Sequence, residues 1–468
     1  MEEFHLDGSI FPMVSRFEEM LERNEAYYFE RQDLEDIVDY YIQENAHQKA
    51  MKAIRFADSQ YPDTSFFTLR KAQLWASNGK HQEALDVVSH LILFEPGHPD
   101  VHITRGSIYA MLGRPADAIE CFKDALRIDR KLEDLYLFIA FEFQNMGKYA
   151  QAARYLRRAL ELSPDNEAAL FEMALCFEVT CKFNAGIRFF NNFLDQHPYS
   201  RVAWYALGQL YTKNSQFKLA VEAFEYSITV DEKFGAAWFS LANVLSASER
   251  FVEAIEAYKQ CIQLDEPDAS TLMFIGECYE NNEDYTTALE YYEKAITLDP
   301  ELADAWIGKG VAYDAQGKTY EALSFIKVGL NLDPSRGTFW FILGDLQLKL
   351  GKFDEAEEAY KKVLEIEPEN IEIWVFLTNL LAERGKKQEA LETIALSLKY
   401  HLAEPRLMLQ HAEMMLLNGV EKDAIVTAQM AFTLDGELFK KISDELPALS
   451  ANAEIRQLNT WYGKNNKL

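Results

Sequence analysis

Small and large apolar residues return along this chain at a fixed step of 34. From Ala50 the residues met are Ala50, Ala84, Ala118, Ala152, Gly186, Ala220, Ala254, Ala288, Ala322, Ala356, Ala390 and Ala424. A second column, twelve residues earlier, is also mostly small and includes Gly106, Ala140, Gly208, Gly276, Gly310 and Gly344. A third column is large: Phe122, Leu156, Phe190, Phe224, Tyr258, Tyr292 and Tyr360. The pattern predicts two antiparallel helices per period. The small residues belong where the helices cross, because only Gly, Ala or Ser lets backbones approach closely, and the large column fills the space beside that crossing. Gly79, Gly113, Gly147, Gly317, Gly351, Gly385 and Gly419 share one phase, after the first helix, where they supply a left-handed helix end. Pro62, Pro96, Pro164, Pro198, Pro300, Pro334 and Pro368 share another and stop the second helix.

These columns resemble the tetratricopeptide repeat, a 34-residue unit of pattern W-x2-L-G-x2-Y followed by Ala, an aromatic and Pro. The sixth repeat carries it in Trp204, Leu207, Gly208, Tyr211, Ala220 and Phe224. The ninth has Trp306, Gly310, Tyr313, Ala322 and Pro334, and the tenth Trp340, Leu343, Gly344, Ala356, Tyr360 and Pro368. The register runs from Arg31 to Leu438 without insertion, giving twelve repeats over 31–438. The resemblance implies an all-α fold, a right-handed superhelical solenoid of antiparallel helix pairs. One repeat cannot fold alone. Ordering its backbone costs about 1–2 kcal/mol per residue, and two helices bury only one shared face against that. Stacking buries the second face, so neighbours hold each other up.

Both ends leave the register. Residues 1–30, with Phe17, Met20 and Leu21, read as a short amphipathic helix that caps the first repeat. In 439–468, Phe439, Ile442 and Leu446 make one stripe, Pro447 breaks it, and Ile455, Leu458 and Trp461 make another, as a capping helix pair does.

Composition narrows the function. With 49% hydrophobic residues the chain has ample material for burial, so disorder is excluded. A formal net charge of -28 makes nucleic acid and anionic membrane poor partners. It serves solubility first, and a basic partner is the sharper reading. Five cysteines without a C-x-x-C point to neither a disulfide framework nor a zinc knuckle. The opening Met1-Glu2-Glu3-Phe4-His5 has no basic leader, and no apolar run reaches the ~18 residues that span a bilayer, so a reducing cytoplasm is expected.

Chemistry-bearing patterns are few. Gly317-Lys318-Thr319 has the end of a phosphate-binding loop, but Ala312 stands where the loop needs its first Gly. His98 and His102 are spaced for a shared metal, yet His102 takes the phase of Trp204 and Trp306 and reads as a packed core histidine. Cys261 holds a phase of small residues and reads as buried. The Lys/Asn clamp by which some relatives grip a chaperone's C-terminal carboxylate is absent: Asn243 has Phe239 and Phe274 beside it instead. No catalytic grouping, cofactor site or metal site emerges.

In proteins of this kind the first helices line the concave face. Their fifth and ninth residues nominate a peptide groove of Phe141, Phe171, Leu175, Tyr205, Phe239, Asn243, Met273, Ile307 and Phe341, with acid from Glu277, Glu280, Asp304, Asp314 and Asp345. The bland alternative is that the fifth residues only pack against the neighbouring helix. The leading expectation is a scaffold that binds a protein or peptide with apolar anchors and Lys or Arg. The alternatives are a homo-oligomeric structural component and the regulatory arm of an enzyme complex. Oligomeric state is left open.

Overall fold

The computed structural model describes residues 10–465 apart from 24, 26, 63 and 265. Among them every regular element is helical, and no strand occurs. The chain divides into two compact units, Met1–Glu232 and Lys233–Leu468.

Within each unit helices come in antiparallel pairs such as Arg201–Lys213 with Phe217–Val230, and Ala303–Ala315 with Thr319–Leu332. The turn between them is a left-handed cap. In the ninth repeat the Gly317 N–H reaches the Asp314 carbonyl (2.8 Å) and the Lys318 N–H reaches that of Tyr313 (3.0 Å), which satisfies carbonyls the helix end leaves free. The seven expected glycines have φ between 67° and 79°. Asn45, Cys181, Ser215, Glu249 and Glu283 hold the same phase with φ of 52° to 63°. The turn therefore survives without glycine, at a cost in backbone strain.

The small and large columns meet directly. A Cβ on Gly208 would lie 2.6 Å from the Phe224 ring, one on Gly276 2.9 Å from Tyr292, and one on Gly344 2.7 Å from Tyr360. The ring lies on the glycine rather than beside the crossing, so it is mainly the partner ring that demands a small residue there. The alanine column is fully buried, Ala254, Ala288 and Ala356 included.

The prolines do more than stop helices. The indole N–H groups of Trp204, Trp306, Trp340 and Trp374 donate to the carbonyls of Pro198, Pro300, Pro334 and Pro368 at 2.8–2.9 Å. His102 places Nε2 3.1 Å from the Pro96 carbonyl in the same way, while His98 stands at the N-cap of Pro99–Met111. Cys261 is half-buried, not buried as its phase implied.

At the first unit's start, Ile10–Arg23 buries Val14, Phe17 and Met20 against the first helix pair. Leu21, expected on the same stripe, faces solvent. The rest of that stretch, residues 1–9, lies outside the described residues. At the other end Pro447 opens the helix Pro447–Ala451. Buried Glu413 accepts from the N–H groups of Ala448 (2.8 Å) and Leu449 (2.6 Å), so a carboxylate ties this helix start to Pro405–Leu417. Phe439, Leu446 and Ile455 are buried, and Trp461 is 57% exposed.

Candidate binding faces

In the first unit the helix Glu167–Val179 reads EAALFEMALCFEV and is apolar on nearly every side. Ala169, Leu170, Met173, Ala174 and Cys176 face the core. Phe171, Leu175 and Val179, each a turn apart, form a second stripe that is 40%, 43% and 49% exposed. A helix apolar all round is ordinarily enclosed. Leaving such a stripe in water forgoes burial worth about 25 cal/mol per Å².

Rings hold the stripe in place. Phe171 meets Tyr205 edge-on at 5.9 Å, and Tyr205 leans on Phe224 at 5.8 Å. Gln209 donates to the Tyr205 hydroxyl at 2.6 Å. Phe141 is half-buried against the same core, and Phe138, a residue the fifth-and-ninth rule passes over, is 40% exposed above Phe122. Gln144 donates to Glu172 (2.8 Å) and so links Asp134–Asn145 to Glu167–Val179.

In the second unit the fifth residues are less open. Phe239 packs with Tyr258 and Phe274 at 5.8–6.0 Å, and Phe341 with Tyr360 at 5.8 Å. Phe376 closes on Tyr360 at 4.9 Å yet stays 37% exposed. Met273 is half-buried against Tyr292 and Ala295. Ile307 is not a groove residue. It is buried in the core, because Gly329 leaves room for its side chain, with Cγ1 2.7 Å from where a Cβ would stand.

The acidic candidates separate by partner. Asp304 pairs with Arg336 (2.6 Å). Asp314 is tied to Lys349 (2.6 Å) and the Thr319 hydroxyl (2.7 Å), so its charge is spent inside the fold and not on a ligand. Two others, Glu280 and Asp345, and the amide of Asn243 are met by tyrosines of the large column that reach through to this face. Tyr258 donates to Asn243 (2.5 Å), Tyr292 to Glu280 (2.8 Å) and Tyr360 to Asp345 (2.5 Å). Burial pushes the Glu280 carboxyl up to about 7, against the Tyr292 hydrogen bond, and the charge of Glu277 adds to the rise. Glu277 is itself raised, by burial and by Asp304, although its surface remains open.

Beside Phe341 lies a cleft of about 790 Å³. Val363, Ile373 and Val375 make a buried floor, with Phe341 and Phe376 as walls. Glu367, Glu372, Glu445 and Arg406 stand at its mouth, where Arg406 pairs with Glu372 and, at 3.4 Å, with Glu445. Sequence reasoning missed the sixth residues of the first helices, Phe138, Phe274 and Phe376. Their shared phase and aromatic identity were visible signals.

Comparison with known proteins decides the family. Models described as tetratricopeptide repeat match residues 99–132, 142–201, 205–269, 269–302 and 347–408. The chain belongs to the tetratricopeptide-repeat family. No curated relative matches its sequence. Among solved structures, the chain is similar to one in the APC/C hetero-tetramer Cut9-Hcn1, at 16% identity and a TM-score of 0.41 over 87% of this chain and 94% of that one. It is also similar to YrrB, titled a TPR protein with an unusual peptide-binding site, at 17% identity and a TM-score of 0.32 over 39% of this chain and 95% of that one. A third likeness is MamA, at 22% identity and a TM-score of 0.32 over 36% and 97%. Among the described residues no helix is long and apolar enough to cross a membrane.

Proposed function

We propose that this tetratricopeptide-repeat chain is a non-catalytic scaffold that holds a segment of another protein against the faces lined by its first helices. The observation that carries this reading is the open stripe of Phe171, Leu175 and Val179 on a helix that is apolar on nearly every side. Large apolar side chains left in water at regular helical spacing mark a surface that a partner covers. In the first unit the bound segment supplies apolar anchors for this stripe, and in the second unit the walls at Phe239, Phe341 and Phe376 take anchors of the same kind. It also carries Lys or Arg, since Glu277 is exposed, Glu280 and Asp345 are half-buried beside it under tyrosine hydroxyls, and among the described residues no cation is bonded to these three.

The test is a partner recovered from cell lysate on the full chain and measured against two double variants, Phe171→Ser with Leu175→Ser and Glu277→Gln with Glu280→Gln. The first should speed dissociation, and the second should slow association and blunt its salt dependence. A partner that binds both variants with wild-type kinetics places the contact elsewhere and removes this reading.

A further inference from the structure

One phase of the repeat holds an indole in the sixth, seventh, ninth, tenth and eleventh repeats (Trp204, Trp238, Trp306, Trp340 and Trp374), and the eighth repeat interrupts that run. In the ninth repeat Trp306 lies nearly parallel to Phe325 (6.2 Å between centroids, 24°) while its N–H is held by the Pro300 carbonyl. Tyr313 is a second ring neighbour of Phe325, at 5.0 Å. In the eighth repeat Leu272 takes the place of the tryptophan, and Tyr291 takes that of Phe325. The proline has also slipped by one, so Glu266 holds the phase whose carbonyl elsewhere receives the indole N–H, and Pro267 follows it. Tyr291 keeps its equivalent neighbour, Tyr279, stacked at 5.5 Å. Where the indole would lie there is a cleft of about 900 Å³ walled by Ile262, Leu272, Leu289 and Leu298.

The fifth repeat, in the other unit, also lacks the tryptophan, though it keeps its proline in phase at Pro164. Leu170 is at the tryptophan phase there, and a cleft of about 550 Å³ opens beside Phe189, the residue equivalent to Tyr291. In that cleft Phe193 and His197 pack against each other at 4.7 Å and help to line the space. The eighth-repeat cleft is larger and has more aliphatic side chains in its walls. The charges around it balance, Glu290 and Glu293 against Lys294 and Lys309, and Lys309 is paired with Glu293. A neutral ring matches that balance, and a charged head does not. Lys294 already sits 4.4 Å over the Tyr291 ring, so an aromatic entering here meets both a ring and a cation.

We propose that the cleft at Leu272 and Tyr291 seats the indole of a tryptophan on a partner protein, replacing from outside the side chain that neighbouring repeats supply from within. Most of the cleft's lining comes from the second helix Tyr285–Leu298, with Leu272 on the buried side of the first helix, so the surface is distinct from the exposed first-helix face at Glu277. Trp461 of a second copy is the competing occupant because it is exposed, but a net charge of -28 opposes self-association.

The probe is N-acetyltryptophanamide, read by saturation-transfer NMR on the full chain, with N-acetylleucinamide as control. The tryptophan probe should bind wild type in preference to the leucine control. Leu272→Trp, which supplies the residue the adjacent seventh and ninth repeats carry, should keep the melting temperature and weaken the probe by about tenfold or more. Tyr291→Ser should weaken it too, and serves alone if Leu272→Trp does not fold. No saturation with wild type, equal saturation by the leucine control, or undiminished binding to either folded variant overturns the proposal. So does a solution mass above the monomer that Trp461→Ala returns to the monomer, because the occupant is then this chain itself.

Discussion

The helices Glu167–Val179 and Ala269–Asn281 hold the same place in the fifth and eighth repeats, yet they turn different chemistry outward. Leu175 in the first stands at the position of Glu277 in the second, and Val179 at that of Asn281. Their inward residues are alike: Ala174 matches Gly276, and Cys176 matches Cys278. The core fixes the inward positions, because a ring from the second helix lies on them. It says nothing about the outward ones, which are free to be apolar in one unit and acidic in the other. A repeat can therefore be read closely for fold and only position by position for function.

The largest effect expected from that difference is on the shared interior. Ala152→Leu in the first unit and Ala288→Leu in the second should each destabilise by about 1–3 kcal/mol, since both sites are fully buried and overpacking forces neighbours off their rotamers. Urea unfolding measures this, and an unchanged midpoint would mean the crossing does not bear on stability.

Strain in the turns comes next. Glu249→Gly and Ser215→Gly should each stabilise by about 1 kcal/mol, because both residues hold positive φ that glycine adopts freely. The reverse change, Gly317→Ala, should destabilise by about the same amount even though nothing lies within 4 Å of its new Cβ. Urea midpoints that ignore all three changes would remove the strain argument.

Glu280 gives a pH signature confined to the second unit. Unfolded, its carboxyl titrates near the ordinary 4.5, and folded near 7. Between those values the folded state binds more protons, so this group's contribution to stability is highest at low pH and is lost as pH rises through 7. Glu280→Gln should raise the melting temperature at about pH 8 and change it far less at about pH 4. Equal shifts at both pH values would contradict the raised carboxyl.

The smallest expected stability effect, and the sharpest test of the comparison, is an exchange of faces. Leu175→Glu and Glu277→Leu should each move stability by no more than about 0.5 kcal/mol, because both side chains are exposed. They should nevertheless weaken partner binding in opposite ways, the first by removing an anchor and the second by removing an attraction for a cation.

Much of the fold was legible because the period is unbroken: the alanine column, the glycine turns and the tyrosine and phenylalanine fillers all report the same helix pair. The site was legible only in part. Phe171 and Leu175 are exposed as their phase implied, while Ile307, at the same phase as Phe171, is buried because of Gly329, a residue twenty-two positions away. Asp314 was lost to Lys349 in the next repeat, a pairing that periodicity does not encode. The tyrosine hydroxyls that reach Asn243, Glu280 and Asp345 were hidden because tyrosine and phenylalanine fill the same column, and only the former carries a polar tip through to the face.

The central claim is that a partner lies on the first-helix face, and site-specific photo-crosslinking tests it most directly. A benzophenone side chain placed at Phe171 should capture the recovered partner, while the same group at Glu225, exposed on the second helix Phe217–Val230, should not. Crosslinking at Glu225 with none at Phe171 would contradict the account.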